Sequence, residues 1–320
     1  MRTDWVGYWY EIAKSRGQND MMTFANVDLT HEKTEWIDVS HAKTDGFGAF
    51  TNILDSKNLS LNPSNKKSRV GRPSLGKALR SIFSGLNNMK SIPIDWIFFD
   101  QRASVNNNRE INYINFDRDT TNKIEDFING KNFSLNSLLL SCFKDVYVDH
   151  FASGNKKGKI LIPVDMRSGL EDIYHQQNCS SGVYVELETV DDPYSLHQKI
   201  KSSLVQGAHW GNWWLANIGK IIGKKGAAYL SKKSSRNSYY LGTFSNLGEW
   251  QTDHLKSKND NSNVWLIAAP GSKNYPLFLG AIKVNGELTL SVKVHPSVLA
   301  EPDVRGLLIE KLRDRIEKLL

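Results

Sequence analysis

A histidine followed by an aspartate and a glycine, in the run Ser40-His41-Ala42-Lys43-Thr44-Asp45-Gly46, is the chemically most informative pattern in this chain. An imidazole accepts a proton near neutral pH, so His41 is a candidate general base. Gly46 is expected to allow a tight turn where a side chain would clash. Asp45 lies where a short loop meets a helix. Two further segments share this plan of an apolar strand ending in polar residues. One is Ile160-Leu161-Ile162-Pro163-Val164-Asp165-Met166-Arg167; the other is Leu241-Gly242-Thr243-Phe244-Ser245-Asn246-Leu247-Gly248.

The elements that position these residues follow from periodicity. The strand-like run Thr34–Val39 leads into His41, and Phe47, Phe50, Ile53 and Leu54 recur at helical spacing after Gly46. A strand is expected over Met22–Leu29 and a polar surface loop over 55–75. A helix follows over Leu75–Leu86, then a buried strand over Ile94–Phe99 and an asparagine-rich break at 103–110. Beyond it come a strand at Ile111–Phe116, a helix entry at Asp117–Thr121 with its helix running to Ile128, and a long helix capped by Ser134. Strands at Lys159–Val164 and Gly182–Leu187 precede a helix opened by Asp191-Asp192-Pro193. The tail reads as strands Val264–Ala269, Phe278–Val284 and Leu288–Val294, with Asn285-Gly286 as a hairpin turn, and a closing helix from Asp303. Strands interspersed with helices define a mixed α/β (α+β) class. The break suggests two parts, 1–105 carrying the histidine motif and 106–320.

Composition narrows the function. The 320 residues are 40% hydrophobic and include two cysteines, Cys142 and Cys179, without metal-ligand spacing. A sizeable core and a reducing, cytoplasmic setting are expected. No run approaches the roughly 20 apolar residues of a membrane span, and the N-terminus does not read as a signal peptide. The net charge of +7 comes from lysines in scattered pairs beside Gly, Ser or Asn. Such pairs read as solvated loops before they read as a nucleic-acid patch. Lys224–Lys233 reads first as a solvated loop and second as a contact for ligand phosphates. The aromatic stretch His209–Trp214 reads as packing, with a pocket lining as the alternative. Gly71–Ala78 imitates a phosphate-binding loop, but Ala78 stands where a magnesium-binding Ser/Thr is needed, and Pro73 removes a backbone donor.

With these segments in view, the chain resembles the CoA-dependent acyltransferase superfamily, which includes chloramphenicol acetyltransferase, condensation domains, wax-ester synthases, alcohol acetyltransferases and the BAHD enzymes. His41–Gly46 match its H-x-x-x-D-G, Pro163–Arg167 look like its P-V-x-x-R strand end, and Ser245–Gly248 look like its S-N-x-G segment. Asn285–Leu290 followed by His295-Pro296 is similar to its closing hairpin. The resemblance implies two chloramphenicol-acetyltransferase-like lobes with mixed sheets around a tunnel. It implies acyl transfer from acyl-CoA or an acyl-carrier protein to an alcohol or amine acceptor, with no metal and no tightly bound cofactor. His41 would be the base, Asp45 and Gly46 would shape its loop, Arg167 would pair with Asp45, and Ser245 and Asn246 would lie near the oxyanion. Ser40 stands where many members carry a first histidine. The motif also follows only 40 residues, so the resemblance implies a truncated first lobe. From that follow a second chain supplying the missing segment and, as the alternative function, a non-catalytic or partner-completed binding module.

Overall fold

In the computed structural model, the structure describes residues 5–15, 19–59, 61–63, 73–100, 102–103, 109–154, 156–170, 177–237, 239–252, 263–299 and 304–320. In chain order the elements are α1 (Trp5–Lys14), β1 (Met21–Asp28), β2 (Lys33–Ser40), α2 (Gly46–Ser56), β3 (Leu61–Pro63) and α3 (Leu75–Asn88). Next come β4 (Asn112–Phe116), α4 (Arg118–Ile128), α5 (Leu135–His150), β5 (Gly158–Asp165), β6 (Ser180–Leu187), α6 (Pro193–Val205) and α7 (Ala208–Ala216). The chain continues through α8 (Gly219–Asn237), β7 (Gly242–Thr252), β8 (Asn263–Ala268), β9 (Leu277–Val284), β10 (Glu287–Val294) and α9 (Val304–Glu317).

The strands form two sheets. A small sheet has the order β2-β1-β8, so its third strand comes from the far half of the chain. The larger sheet runs β4-β10-β9-β7-β5-β6, with β3 also paired to β7. It is mixed, because β7 lies parallel to both β5 and β9 whereas the other pairs are antiparallel. The β9–β10 hairpin turns at Asn285 and Gly286, both at positive φ (51° and 86°), as a tight two-residue connection requires.

Each face of the large sheet buries its own core. Leu279 and Ala281 of β9 and Phe244 of β7 pack against α4, α5 and α9 through Ile124, Leu139, Phe143 and Leu312. On the other face Phe278 and Ile282 meet α2 and the small sheet through Phe24, Phe50, Ile53, Leu54 and Trp265. Phe50 sits edge-on to both Trp250 and Trp265, at 4.9 and 5.1 Å between ring centres, an arrangement that favours aromatic pairs. Helix entries follow local chemistry: Asp117, Ser134 and Asp192 accept from the backbone N–H of Thr120, Ser137 and Ser195.

The segment Ile94–Phe99 departs from the expected buried strand. Trp96 makes one isolated bridge to Ala152, and Ile97 and Phe98 are exposed. The segment crosses the end of α5, where Ile97 N–H donates to Phe151 O and Ser153 N–H donates to Asp95 O, so no sheet edge is there to extend it. The aromatic stretch 209–214 lies within α7, and Trp210 is buried. Gly71 and Arg72 of the loop-like 71–78 pattern lie outside the described residues, and from Leu75 onward the pattern is helix. Among the described residues, no helix is long and apolar enough to cross a membrane. Both cysteines are free and buried.

Helices α3 and α7 approach closely because both are glycine-lined at the contact. A Cβ on Gly211 would lie 1.9 Å from the Ser81 carbonyl oxygen, and one on Gly85 would lie 2.8 Å from Asn212 N. Backbone cannot yield as a flexible side chain can. Gly211→Ala should therefore destabilise the protein by about 3 kcal/mol, read as a lower urea midpoint at unchanged m-value; an unchanged midpoint would show that the two helices separate freely.

Candidate active site

β2 delivers the chain to His41, whose backbone N–H donates to Asp20 O at 2.8 Å. Ser40 Oγ donates to the Asp20 carboxylate at 2.5 Å, so the residue standing in place of a first histidine ties down the strand end. Lys14 Nζ of α1 pairs with the other Asp20 oxygen at 3.2 Å. A turn closed by Lys43 N–H on Ser40 O then leads to Asp45. Asp45 is the N-cap of α2: its Oδ1 accepts from Gly48 N–H at 2.9 Å, satisfying an otherwise unpaired helix donor.

The same carboxylate joins distant parts of the chain. Asp45 and Arg167 are 3% and 4% exposed, which makes their pairing obligatory in energetic terms. Arg167 Nη2 lies 2.9 Å from both carboxylate oxygens. Cys179 N–H donates to Oδ2 at 2.7 Å. The pair is not the parallel two-nitrogen fork expected for Arg and Asp: Nη1 donates instead to Asp165 Oδ1 at 3.0 Å, and Nη2 also donates to Gln177 O at 3.0 Å. One guanidinium thus links the end of β5, the segment before β6 and the start of α2. Gly46 serves differently from expectation. It is not among the positive-φ residues, and its constraint is a close approach: a Cβ there would lie 3.3 Å from Leu247 Cδ2 of β7.

Two residues hold the His41 side chain, Asn178 and Tyr10. Asn178, 2% exposed, places Nδ2 3.0 Å from His41 Nδ1 and 2.9 Å from His41 O. Tyr10 of α1 stacks on the imidazole, with ring centres 4.2 Å apart and planes inclined by 11°. Tyr10 Oη is 3.3 Å from Nε2. In rings so nearly parallel and so close, that distance is mostly the gap between planes, so the hydroxyl lies over the face of Nε2. Helix α1 is fixed in turn by Trp9 Nε1 donating to Ala216 O and by Lys224 over the Tyr8 ring.

Beyond Tyr10 lies a group of tyrosines. Tyr184 and Tyr275 share a hydrogen bond at 2.9 Å, and Tyr240 packs against both rings. His41, Tyr10, Tyr184 and Tyr275 are all desolvated by surrounding protein, yet each keeps part of its surface accessible. Burial, assisted by the charge of Asp45, holds the Tyr10 hydroxyl well above the ordinary phenol range, so it stays neutral.

Burial also lowers the His41 pKa from its ordinary value of 6.5, opposed by its own carbonyl and by the charges of Asp45 and Asp20. The ring is therefore neutral at pH 7 and free to accept a proton. A rate that depends on neutral His41 should hold its plateau below pH 6.5 and fall only as the pH drops through the lowered value. A kcat/KM profile that falls instead above pH 6.5 on acidification would contradict this assignment.

Of the residues singled out from sequence, His41, Asp45, Gly46 and Arg167 come together. Ser245 lies on β7 and by strand alternation shares the face of Leu247, turned toward α2. Asn246 faces the opposite way: its Nδ2 donates to Asn136 Oδ1 of α5 at 2.7 Å, and its Oδ1 accepts from Gly248 N–H. Asn178, Cys179 and Tyr10 escaped the sequence reading. Asn178 lies 137 residues from His41, in a segment with no motif of its own, and Tyr10 reads as one of several aromatics in a helix. Among the described residues, no three His, Cys, Asp or Glu side chains are grouped to hold a metal ion.

No family model matches the sequence, and no curated protein matches it in sequence. The fold does match solved structures. One is the nonribosomal peptide synthetase FmoA3 bound to AMPPNP, with a TM-score of 0.55 and 13% identity over 89% of this chain and 31% of that one. Another is the EpoB cyclization-docking bidomain of a nonribosomal peptide synthetase from Sorangium cellulosum, with a TM-score of 0.51 and 13% identity over 89% of this chain and 60% of that one. This chain therefore spans less than two thirds of either. The chain shares the fold of these two structures over 89% of its length, built here on one mixed and one antiparallel sheet. At this identity the likeness is one of fold.

Proposed function

We propose that the protein is an acyltransferase that moves an acyl group from a thioester, on CoA or on an acyl-carrier protein, to a hydroxyl or amine acceptor. The observation that supports this reading best is the His41 loop. A neutral imidazole stands at a strand end, stacked against Tyr10, and a buried Asp45–Arg167 pair 122 residues apart in sequence holds the loop that carries it.

The acceptor oxygen or nitrogen attacks the thioester carbonyl as His41 removes its proton. The tetrahedral intermediate collapses, the carbon–sulfur bond breaks, and the thiolate takes the proton back from His41. The acyl group passes directly to the acceptor, so the reaction needs no Ser or Cys nucleophile and no tightly bound cofactor. A positioned base contributes roughly 10²–10⁴-fold to such a step. Asp45 and Arg167 act on the loop and do not touch the reacting atoms. Of the two oxyanion candidates, Ser245 lies on the face of β7 turned toward α2, whereas Asn246 is engaged with α5. Preorganised donors are valuable there because charge develops on the carbonyl oxygen.

The test is release of free thiol from a panel of acyl-CoAs and acyl-carrier proteins, with and without mixed alcohol and amine acceptors. Acceptor-dependent release supports the reading and names the donor class. No release with any pair, from folded protein, overturns it.

A further inference from the structure

We infer that the outward face of α3 rests on an anionic membrane surface. Leu79, Phe83 and Leu86 enter the headgroup layer, and the basic residues around them meet lipid phosphates. This role stands apart from acyl transfer.

The first observation is the orientation of α3. Hydrophobic spacing along Leu75–Asn88 gathers Leu79, Phe83 and Leu86 on one side of the helix, the side that ordinarily turns toward a core. Here it turns outward: the three side chains are 68%, 66% and 44% exposed. The inward side carries the buried Ser81 and Gly85, pressed against the backbone of α7 at Gly211 and Asn212. That contact has no room for a Cβ on Gly85 or Gly211, so it fixes the rotation of α3 and leaves the apolar stripe facing away. A stripe of this kind marks an interaction surface.

The second observation is the distribution of charge. Residues 56–94 and 193–248 contain sixteen Lys and Arg and no Asp or Glu, whereas the rest of the chain carries all 34 acidic residues against 25 basic ones. The net charge of +7 is therefore the difference between a strongly basic region and an acidic remainder. The two basic runs meet in space, because α3 packs on α7 and Gly207, before α7, lies against Ser81. Lys77 and Arg80 of α3, and Lys220 and Lys225 of α8, are exposed, and among the described residues they form no ion pair.

Together the two observations select the occupant. A helix with Leu and Phe on one face and Lys and Arg beside it lies in the plane of a bilayer interface, its apolar side chains at the acyl boundary and its cations among anionic headgroups. A second copy of the chain would bring two basic regions together, and α3, α7 and α8 hold no acid to pair with them. A nucleic acid would use the charge and leave Leu79 and Leu86 in water. A lipid surface answers both features and, being fluid, needs no groove shaped to α3.

The test is co-sedimentation of the full chain with vesicles of phosphatidylcholine alone and of an equal mixture of phosphatidylcholine and phosphatidylglycerol. The protein should pellet with the anionic vesicles at low salt, stay in solution with the neutral ones, and be released from the anionic ones as salt is raised. Leu79→Ser combined with Phe83→Ser, and separately Lys77→Glu combined with Arg80→Glu, should each weaken binding by about 10-fold or more. All four positions are exposed, so the urea midpoint should not move. Wild-type protein that fails to pellet with anionic vesicles, or pellets equally with both kinds, overturns the proposal whether or not the variants fold. So does undiminished binding by either folded variant. A wild-type dimer that Leu79→Ser with Phe83→Ser dissociates would assign the stripe to self-association, and tighter binding to a single-stranded oligonucleotide than to anionic vesicles would assign the basic region to nucleic acid; either overturns the membrane assignment. Vesicle binding and thiol release are separate readouts, so each can fail with the other standing.

Discussion

His41→Ala should lower acceptor-dependent thiol release by about 10²-fold or more while leaving the fold intact. His41 is partly exposed and belongs to neither large hydrophobic cluster, so removing the ring leaves no large apolar cavity. Its backbone N–H and carbonyl keep their bonds to Asp20 and Asn178, and these hold the loop. What is lost is the nitrogen that takes the acceptor's proton. The effect should appear in kcat more than in KM, because the proton is shared in the transition state and not in the bound ground state. Thiol release by simple hydrolysis, measured without acceptor, separates loss of the base from loss of donor binding. A His41→Ala variant that transfers at the wild-type rate would remove the histidine from the mechanism and leave the fold assignment untouched.

Arg167→Met should destabilise the protein by roughly 3–5 kcal/mol, because it leaves Asp45 buried without its counter-charge. The Asp45 carboxylate would retain the N–H groups of Gly48 and Cys179, which compensate a charge only in part. Three connections are lost at once: to Asp45, to Asp165 and to the Gln177 carbonyl. Arg167→Lys should rescue only part of the loss, since a single ammonium cannot span the directions that Nη1 and Nη2 serve. Combining Asp45→Asn with Arg167→Met should cost less than the two separate changes added together, because the double variant strands no charge. Urea unfolding of the four proteins measures this. Equal midpoints for wild type and Arg167→Met would show that Asp45 is solvated and that the pair does not hold the loop.

Much of the secondary structure was legible from the sequence because hydrophobic period and cap chemistry are local. The spacing of Phe47, Phe50, Ile53 and Leu54 marked α2, Ser134 marked the start of α5, and Asn285-Gly286 marked the hairpin. The segment 94–99 misled because a short apolar run reads as a strand wherever it occurs, whereas pairing requires an open sheet edge. Lys224–Lys233 misled as well: it reads as a solvated loop, whereas it lies within helix α8. That helix has no acidic residue and leaves Ile221, Tyr229 and several lysines exposed, so it lacks a clear buried stripe.

The site divides along the same line. The sequence by itself determined that a histidine stands between a strand and a helix, that Asp45 stands where a helix cap belongs, and that Arg167 ends an apolar strand. Residue type and local spacing are sufficient for those statements. Tertiary structure alone decided that Arg167 reaches Asp45 through a single nitrogen and that β7 turns Asn246 away toward α5. It also decided that Tyr10 covers one face of the imidazole and that Asn178 occupies Nδ1. Each of these contacts joins segments whose separation in the chain says nothing about their distance in space. Burial then gives each contact its weight, because a charge or an N–H removed from water must find its partner within the protein.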